Sequence, residues 1–441
     1  MQKKLLSGLF WVLLANLIVK PFWMLGIEVG VQNTVGTEMY GFYYAIFSFT
    51  YIFNILLDLG VTNFNTRNIA QHPQLIGKHL SGILGIKIVL LGLYLMVTFG
   101  VGLLMGYGSE EFRLLGLLTL CQFLNSLILY LRSNFEGLLL FRWDSLFSVL
   151  DRVLMIVICG CMLWSPLRER FNIYWFVYAQ LAAYSITAVL ALAVIGNKAH
   201  LKRIRFDRRF LLVILRKSAP FALLVLLMAA YGHIDSIILR PLAGDGQAGI
   251  FAGAFRILDA LSMIAYLVSV PLLPVYSRLC KNGDRQQIAN ATSTVFWPMM
   301  GGAIVAALGC SLCAEPLMTL LYHENGITYA PAFRVVIFGI IPIGITYIFG
   351  TLLTAGGYLK HLNRFAAISL GLNIAVNLLL IPRYGALGSA WASLTAQCFM
   401  AVAQLALAIR LFRLPPNTFR LPQMSDIKQI IKIIKTNNDT L

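Results

Sequence analysis

Apolar stretches long enough to cross a bilayer recur along nearly the whole chain, and this one pattern removes most folds from consideration. A helix needs about 20 residues to span the hydrocarbon, and twelve such spans are expected, near residues 8–27, 41–60, 82–106, 113–134, 145–164, 172–195, 213–239, 249–273, 291–313, 333–354, 362–381 and 385–409. With 59% hydrophobic residues and only 12% charged ones, the composition lies far outside that of soluble domains. The expected fold class is an all-α polytopic membrane protein.

The basic residues orient it. With the amino terminus inside, 25 of the 35 Lys and Arg fall in inside loops and tails, against six outside: Arg113, Arg168, Arg170, Arg240, Arg334 and Arg383. Cytoplasmic loops carry the excess of Lys and Arg, so both termini are expected in the cytoplasm. The same distribution accounts for the net charge of +17 without a nucleic-acid partner. The first 25 residues have Lys3 and Lys4 before an apolar run but no small-residue cleavage site, and read as an uncleaved first span.

The sharpest break in composition is NKAHLKRIRFDRRFLLVILRK at 197–217, eight bases with one acid. It divides the chain into a six-helix lobe at 1–196, a basic cytoplasmic linker at 197–217 that runs into the seventh span, a second lobe at 218–412, and a basic cytoplasmic tail at 413–441. In the tail, Ile427, Ile430, Ile431 and Ile434 share one helical face, as in a helix lying on a membrane surface. Both halves enter their second span alike: Gly36 precedes Gly41-Phe42-Tyr43 as Gly244 precedes Gly249-Ile250-Phe251. Parallel six-helix repeats are a common plan for carriers that hold substrate near the midplane. Pro21, Pro271, Pro274, Pro298 and Pro342 lie in or at the ends of spans and can kink them. The Cys310-x-x-Cys313 pair has no accompanying ligands and reads as small-residue packing, so no metal or other cofactor is expected.

Eight ionisable residues interrupt the spans: Lys20, Asp58, Lys87, Asp151, Arg152, Asp235, Arg256 and Asp259. Each costs about 2.5 to 3.5 kcal/mol even on the lenient insertion scale, so each calls for a pathway, a ligand or a partner charge. Arg256 and Asp259 share a helical face and can pair. Asp151 and Arg152 are neighbours and are expected to need separate, structural partners. Lys87 is near an inner helix end and is expected to snorkel to the interface. His233, two residues from Asp235, is a candidate for a proton role.

Two blocks are more specific. Leu57-Asp58-Leu59-Gly60, continuing to Thr66-Arg67-Asn68-Ile69-Ala70, resembles the second-helix exit of the bacterial oligosaccharide flippases of the polysaccharide transporter family (Wzx type). His233-Ile234-Asp235 through Gly249-Ile250-Phe251 and Arg256 to Pro274-Val275-Tyr276-Ser277-Arg278 resembles the seventh and eighth helices of the same family, and Pro382-Arg383-Tyr384-Gly385 the turn before its last helix. The resemblance implies membership of the multidrug/oligosaccharidyl-lipid/polysaccharide exporter superfamily. It also implies a fold like that of the multidrug and toxin exporters (MATE-like), with two six-helix lobes around a cavity lined by spans one, two, seven and eight.

On that resemblance, Lys20 and Arg256 face the cavity and bind an anionic head group, with Asp58, Asp235, Asp259 and His233 as cavity or coupling candidates. The expected cargo is a polyprenyl diphosphate-linked oligosaccharide repeat unit, moved from the inner to the outer leaflet of a bacterial plasma membrane for surface polysaccharide assembly. Membrane lipids are expected partners, together with polymerase and chain-length proteins of the same pathway. Moving two negative charges outward is favoured by about 4.6 kcal/mol per 100 mV, at about 2.3 per charge.

No enzymatic constellation is visible, and no Walker sequence that would make ATP the direct fuel. Three alternatives stay open: a cation-coupled multidrug-type exporter, which binding of organic cations in competition with protons or sodium would favour; a lipid II flippase of the same fold; and, less favoured, an O-antigen polymerase, which needs catalytic residues on the outer face.

Overall fold

The computed structural model describes Asn16 and residues 18–62, 65–66, 69, 72–138, 140–199, 208–269, 272–282, 285–323 and 326–415. Of residues 75, 78, 141, 199, 208–225, 274 and 282 it describes the backbone alone. Among the described residues there is no strand. Residues 8–15 of the expected first span, residues 200–207 of the basic linker and the amphipathic stretch at 425–435 lie outside the described residues.

The helix α1 occupies 18–35 and widens to π geometry over Trp23–Glu28. After it come α2 (Thr37–Ile52), which tightens to a 3₁₀ turn over Phe53–Leu57, α3 (Ile76–Leu104), α4 (Ser109–Gly137), α5 (Phe141–Phe147), α6 (Leu150–Leu163) and α7 (Ile173–Ala199). The remainder is α8 (Arg208–Ala243), α9 (Asp245–Ser269), α10 (Leu272–Asn282), α11 (Arg285–Leu312), α12 (Ala314–Tyr322), α13 (Gly326–Val336), α14 (Ile340–Ala355), α15 (Leu359–Tyr384) and α16 (Ala386–Phe412).

Ten helical stretches among the described residues are long and apolar enough to cross a membrane. Thr37–Leu57 is the most enclosed, with 67% of its apolar window buried, and Arg285–Leu312 the least, with 17%. Of the other two expected spans, the first begins in residues outside the description and the seventh runs within α8.

Contacts divide the chain into two compact units, one ending at Arg240 and the other beginning at Pro241. In the first, α4 packs along α7 and α2, and α6 packs on α7. One of its apolar clusters joins Ile83, Ile86 and Leu90 of α3 to Tyr130, Leu131 and Phe135 of α4. In the second, α15 and α16 pair along their length, and Leu272, Tyr276 and Leu279 of α10 meet Ile348, Phe349, Leu352 and Leu353 of α14.

The repeated glycine entry has a backbone cause. Gly36 has φ 87° ahead of α2, and Gly244 has φ 88° ahead of α9. A side chain is strained at such φ, so only glycine turns the chain there without cost, once in each half.

Candidate functional site

In α1, Pro21 lacks the N–H of the regular ladder, and the helix runs into its π segment immediately afterwards, over Trp23–Glu28. A π segment is rare, and where it occurs it re-aims side chains, often at functional sites. Here it lies along a cavity of about 260 Å³. Lys20, Trp23, Met24 and Glu28 come to its wall from α1, and Tyr40, Tyr43, Tyr44 and Phe47 from α2; Arg152 comes from α6 and Gln180 from α7. All belong to the first unit.

The wall is braced by polar contacts. Trp23 Nε1 donates to Glu28 Oε1 at 3.0 Å, and the Trp23 ring stacks on Phe176 at 5.9 Å. The Tyr43 hydroxyl donates to Gln180 Oε1 at 3.4 Å, and Gln180 Nε2 donates to the Tyr184 hydroxyl at 3.2 Å. Arg152 lies over the rings of Trp23 and Tyr184, 5.5 and 5.8 Å from their centroids, within cation–π range. Its Nε is 3.5 Å from Asp151 Oδ2, which corrects the expectation that these neighbours need separate partners. The long arginine stem reaches back to the adjacent carboxylate. Lys20 is half-buried and makes no hydrogen bond or ion pair with any described residue.

Asp58 and Lys87 form a different construction. Lys87 is 1% exposed and does not snorkel. Its Nζ donates at 2.8 Å to each of Asp58 Oδ1, the Leu57 carbonyl and Ser126 Oγ. All three ammonium protons find acceptors, because α2 tightens to 3₁₀ and then breaks at Leu59 (φ 44°) and Gly60 (φ 81°), which leaves the Leu57 carbonyl available. Asp58 also accepts from the Thr62 hydroxyl. The same seam between α2 and α4 carries Asn54 Nδ2 donating to Gln122 Oε1 at 3.1 Å.

His233 and Asp235 lie on α8. His233 Nδ1 is 3.3 Å from Ser48 Oγ, and its ring centroid is 4.4 Å from that of Tyr51. Asp235 is buried. Near the end of α8, Arg240 Nη2 donates to Glu111 Oε1 at 2.8 Å, and its guanidinium lies 4.8 Å from the Phe42 ring centroid and 5.9 Å from that of Tyr107. Burial pushes the Tyr107 hydroxyl up to about 12, so it stays a neutral phenol beside that cation.

Arg256 and Asp259 lie on α9 of the second unit. Arg256 is buried, and its Nη1 donates to the Tyr322 hydroxyl at 2.8 Å. That hydroxyl in turn donates to the Gly253 carbonyl at 3.3 Å, and the Tyr322 ring stacks on Tyr329 at 4.3 Å. The rings fit because Gly253 has no Cβ; one there would sit 2.5 Å from Tyr329. Asp259 is half-buried.

Arg152, Trp23 and Gln180 belong to the cavity although sequence reasoning did not select them as site residues. A readable signal was the aromatic spacing Tyr40, Tyr44, Phe47, Tyr51, which puts four rings on one face of α2; Tyr40, Tyr44 and Phe47 of these line the cavity with Lys20. Among the described residues, no three His, Cys, Asp or Glu side chains converge as a metal site requires.

Known proteins share the fold. The chain is 21% identical to an uncharacterized membrane protein of Methanocaldococcus jannaschii, MJ1068, over 92% of this chain and 84% of that protein. It is 25% identical to a probable lipid II flippase, MurJ, of Helicobacter pylori over 41% of this chain and 40% of that one. Among solved structures, an inward-facing multidrug resistance MATE family transporter of the MOP superfamily aligns at TM-score 0.67 and 14% identity, covering 91% of this chain and 98% of that one. The inward closed conformation of lipid II flippase MurJ aligns at TM-score 0.67 and 14% identity, covering 98% and 92%. The fold is therefore MATE-like. Residues 5–280, more than half of the chain, match the family described as Polysaccharide biosynthesis protein, and the chain belongs to that family.

Proposed function

We propose that this protein is a flippase that moves a polyprenyl diphosphate-linked oligosaccharide from the inner to the outer leaflet of a bacterial plasma membrane by alternating access, and that the diphosphate is held by Lys20 and Arg152. The observation that carries the reading is Lys20, a half-buried ammonium on the wall of a cavity within the membrane-embedded unit, with no ion-pair partner among the described residues. Such a charge is costly in a membrane unless a ligand or pathway answers it. A diphosphate does so, and Arg152 adds a planar fork of donors suited to phosphate oxygens. Arg256 is the weaker choice for the same role, because it is 3% exposed, whereas Arg152, though paired with Asp151, keeps part of its surface open on the cavity wall.

The charge of the cargo also supplies a drive. Carrying two negative charges outward, with the interior negative, is favoured by about 4.6 kcal/mol per 100 mV. Collapsing the potential with valinomycin and potassium should slow turnover in proteoliposomes.

The test is to delete the gene and locate complete lipid-linked repeat units with a membrane-impermeant sugar-modifying reagent on intact spheroplasts. Accumulation on the inner leaflet is the expected result. Accumulation on the outer leaflet indicates a polymerase defect and overturns the reading. Accumulation of a cell-wall precursor instead of the repeat unit assigns the cargo to lipid II.

A further inference from the structure

We propose that Tyr44, Phe47 and Tyr51 form a stacking track on which the pyranose rings of the cargo ride next to the diphosphate site. The proposal rests on the reading above and names where the sugar, as distinct from the phosphate, is held.

The spacing i, i+3 and i+7 places the three rings in one narrow stripe on α2. Their centroids follow one another at 6.5 Å from Tyr44 to Phe47 and 6.0 Å from Phe47 to Tyr51. His233 closes the inner end, 4.4 Å from Tyr51 and 6.3 Å from Phe47.

Burial separates these rings from ordinary core. On the same helix, Tyr40 and Phe49 are 1% and 2% exposed, whereas Tyr44, Phe47 and Tyr51 keep part of their surface open. Tyr44 and Phe47 line the cavity that holds Lys20, and α2 with its 3₁₀ end is the most enclosed of the candidate spans.

The chemistry selects a sugar. One face of a pyranose presents C–H groups of slight positive charge, which suit the negative face of an aromatic ring, while its rim of hydroxyls needs donors and acceptors at the side. Gln180 and Glu28 stand on the same cavity wall. A hydrocarbon tail has no use for them. At about 260 Å³ the cavity falls below the usual ~300–1,000 Å³ of ligand pockets. It therefore takes one ring at a time, and successive platforms suit a chain of rings.

The experiment is calorimetric titration of the full-length protein in nanodiscs with two probes of equal charge, the methyl ester of farnesyl diphosphate and its N-acetylglucosaminyl ester. The wild type is expected to bind the sugar ester about tenfold tighter, equivalent to one good aromatic contact. Tyr44→Ala and Phe47→Ala should shrink that preference to about twofold or less, and Tyr44→Phe should keep it. No preference in the wild type, or an undiminished one in the alanine variants, overturns the track while the diphosphate reading stands. Failure to bind either ester removes both.

Discussion

Two cations that look alike on paper, Lys20 in the first unit and Arg256 in the second, stand in opposite surroundings. Arg256 is buried against a built support: the Tyr322 hydroxyl accepts from it, Tyr329 stacks behind, and Gly253 makes room for both rings. Lys20 stands half-open on a cavity wall without an ion pair among the described residues. The difference teaches how to read a charge in a membrane. On the reading proposed above, the cation supported by protein side chains holds the fold, and the one left open on a cavity wall binds the ligand.

Stability measurements can break that distinction, and four substitutions rank in order. Lys87→Met removes the centre of a saturated site and leaves Asp58, the Leu57 carbonyl and Ser126 without their shared donor. Breaking a buried pair in this way costs about 3 to 5 kcal/mol; with Asp58 a quarter exposed and open to hydration, the loss should be near the lower end. Reversible unfolding of the detergent-purified protein measures it. Arg256→Ala should cost about 2 kcal/mol in the same assay, as the Tyr322 hydroxyl loses a charged donor.

Arg240→Ala comes third. Its pair with Glu111 is partly exposed at 18% and 22%, so about 1 kcal/mol or less is expected, shrinking further as salt is added. Lys20→Ala should change stability least, within about 0.5 kcal/mol or toward greater stability, since no described partner is left behind. A large loss for Lys20→Ala would place it among the structural cations and dissolve the comparison.

Much of this was legible in the residues. The spans follow from hydropathy, and the two glycine entries matched because Gly36 and Gly244 sit at nearly the same positive φ. Lys20 was legible as a costly charge beside a proline. Arg152 was not, because adjacency to Asp151 suggested two separate structural partners, whereas the guanidinium both reaches that carboxylate and lines the cavity. Lys87 was misread as snorkelling, because linear distance from a helix end does not reveal that α2 breaks at Leu59 and Gly60 to offer it a backbone carbonyl. The aromatic stripe of α2 was readable by spacing alone, but aromatic residues in an apolar span are so common that only burial separates Tyr44 and Phe47 from Tyr40 and Phe49.

The most direct test of the account is translocation of a nitrobenzoxadiazole-labelled polyprenyl diphosphate disaccharide in proteoliposomes, read by dithionite quenching of label in the outer leaflet. Wild type and Lys20→Arg should move the label, and Lys20→Ala should be slower by about 100-fold, the loss typical when a buried charge pair loses one partner. Transport by Lys20→Ala at the wild-type rate, with the protein normally inserted, would contradict the claim that this lysine holds the diphosphate.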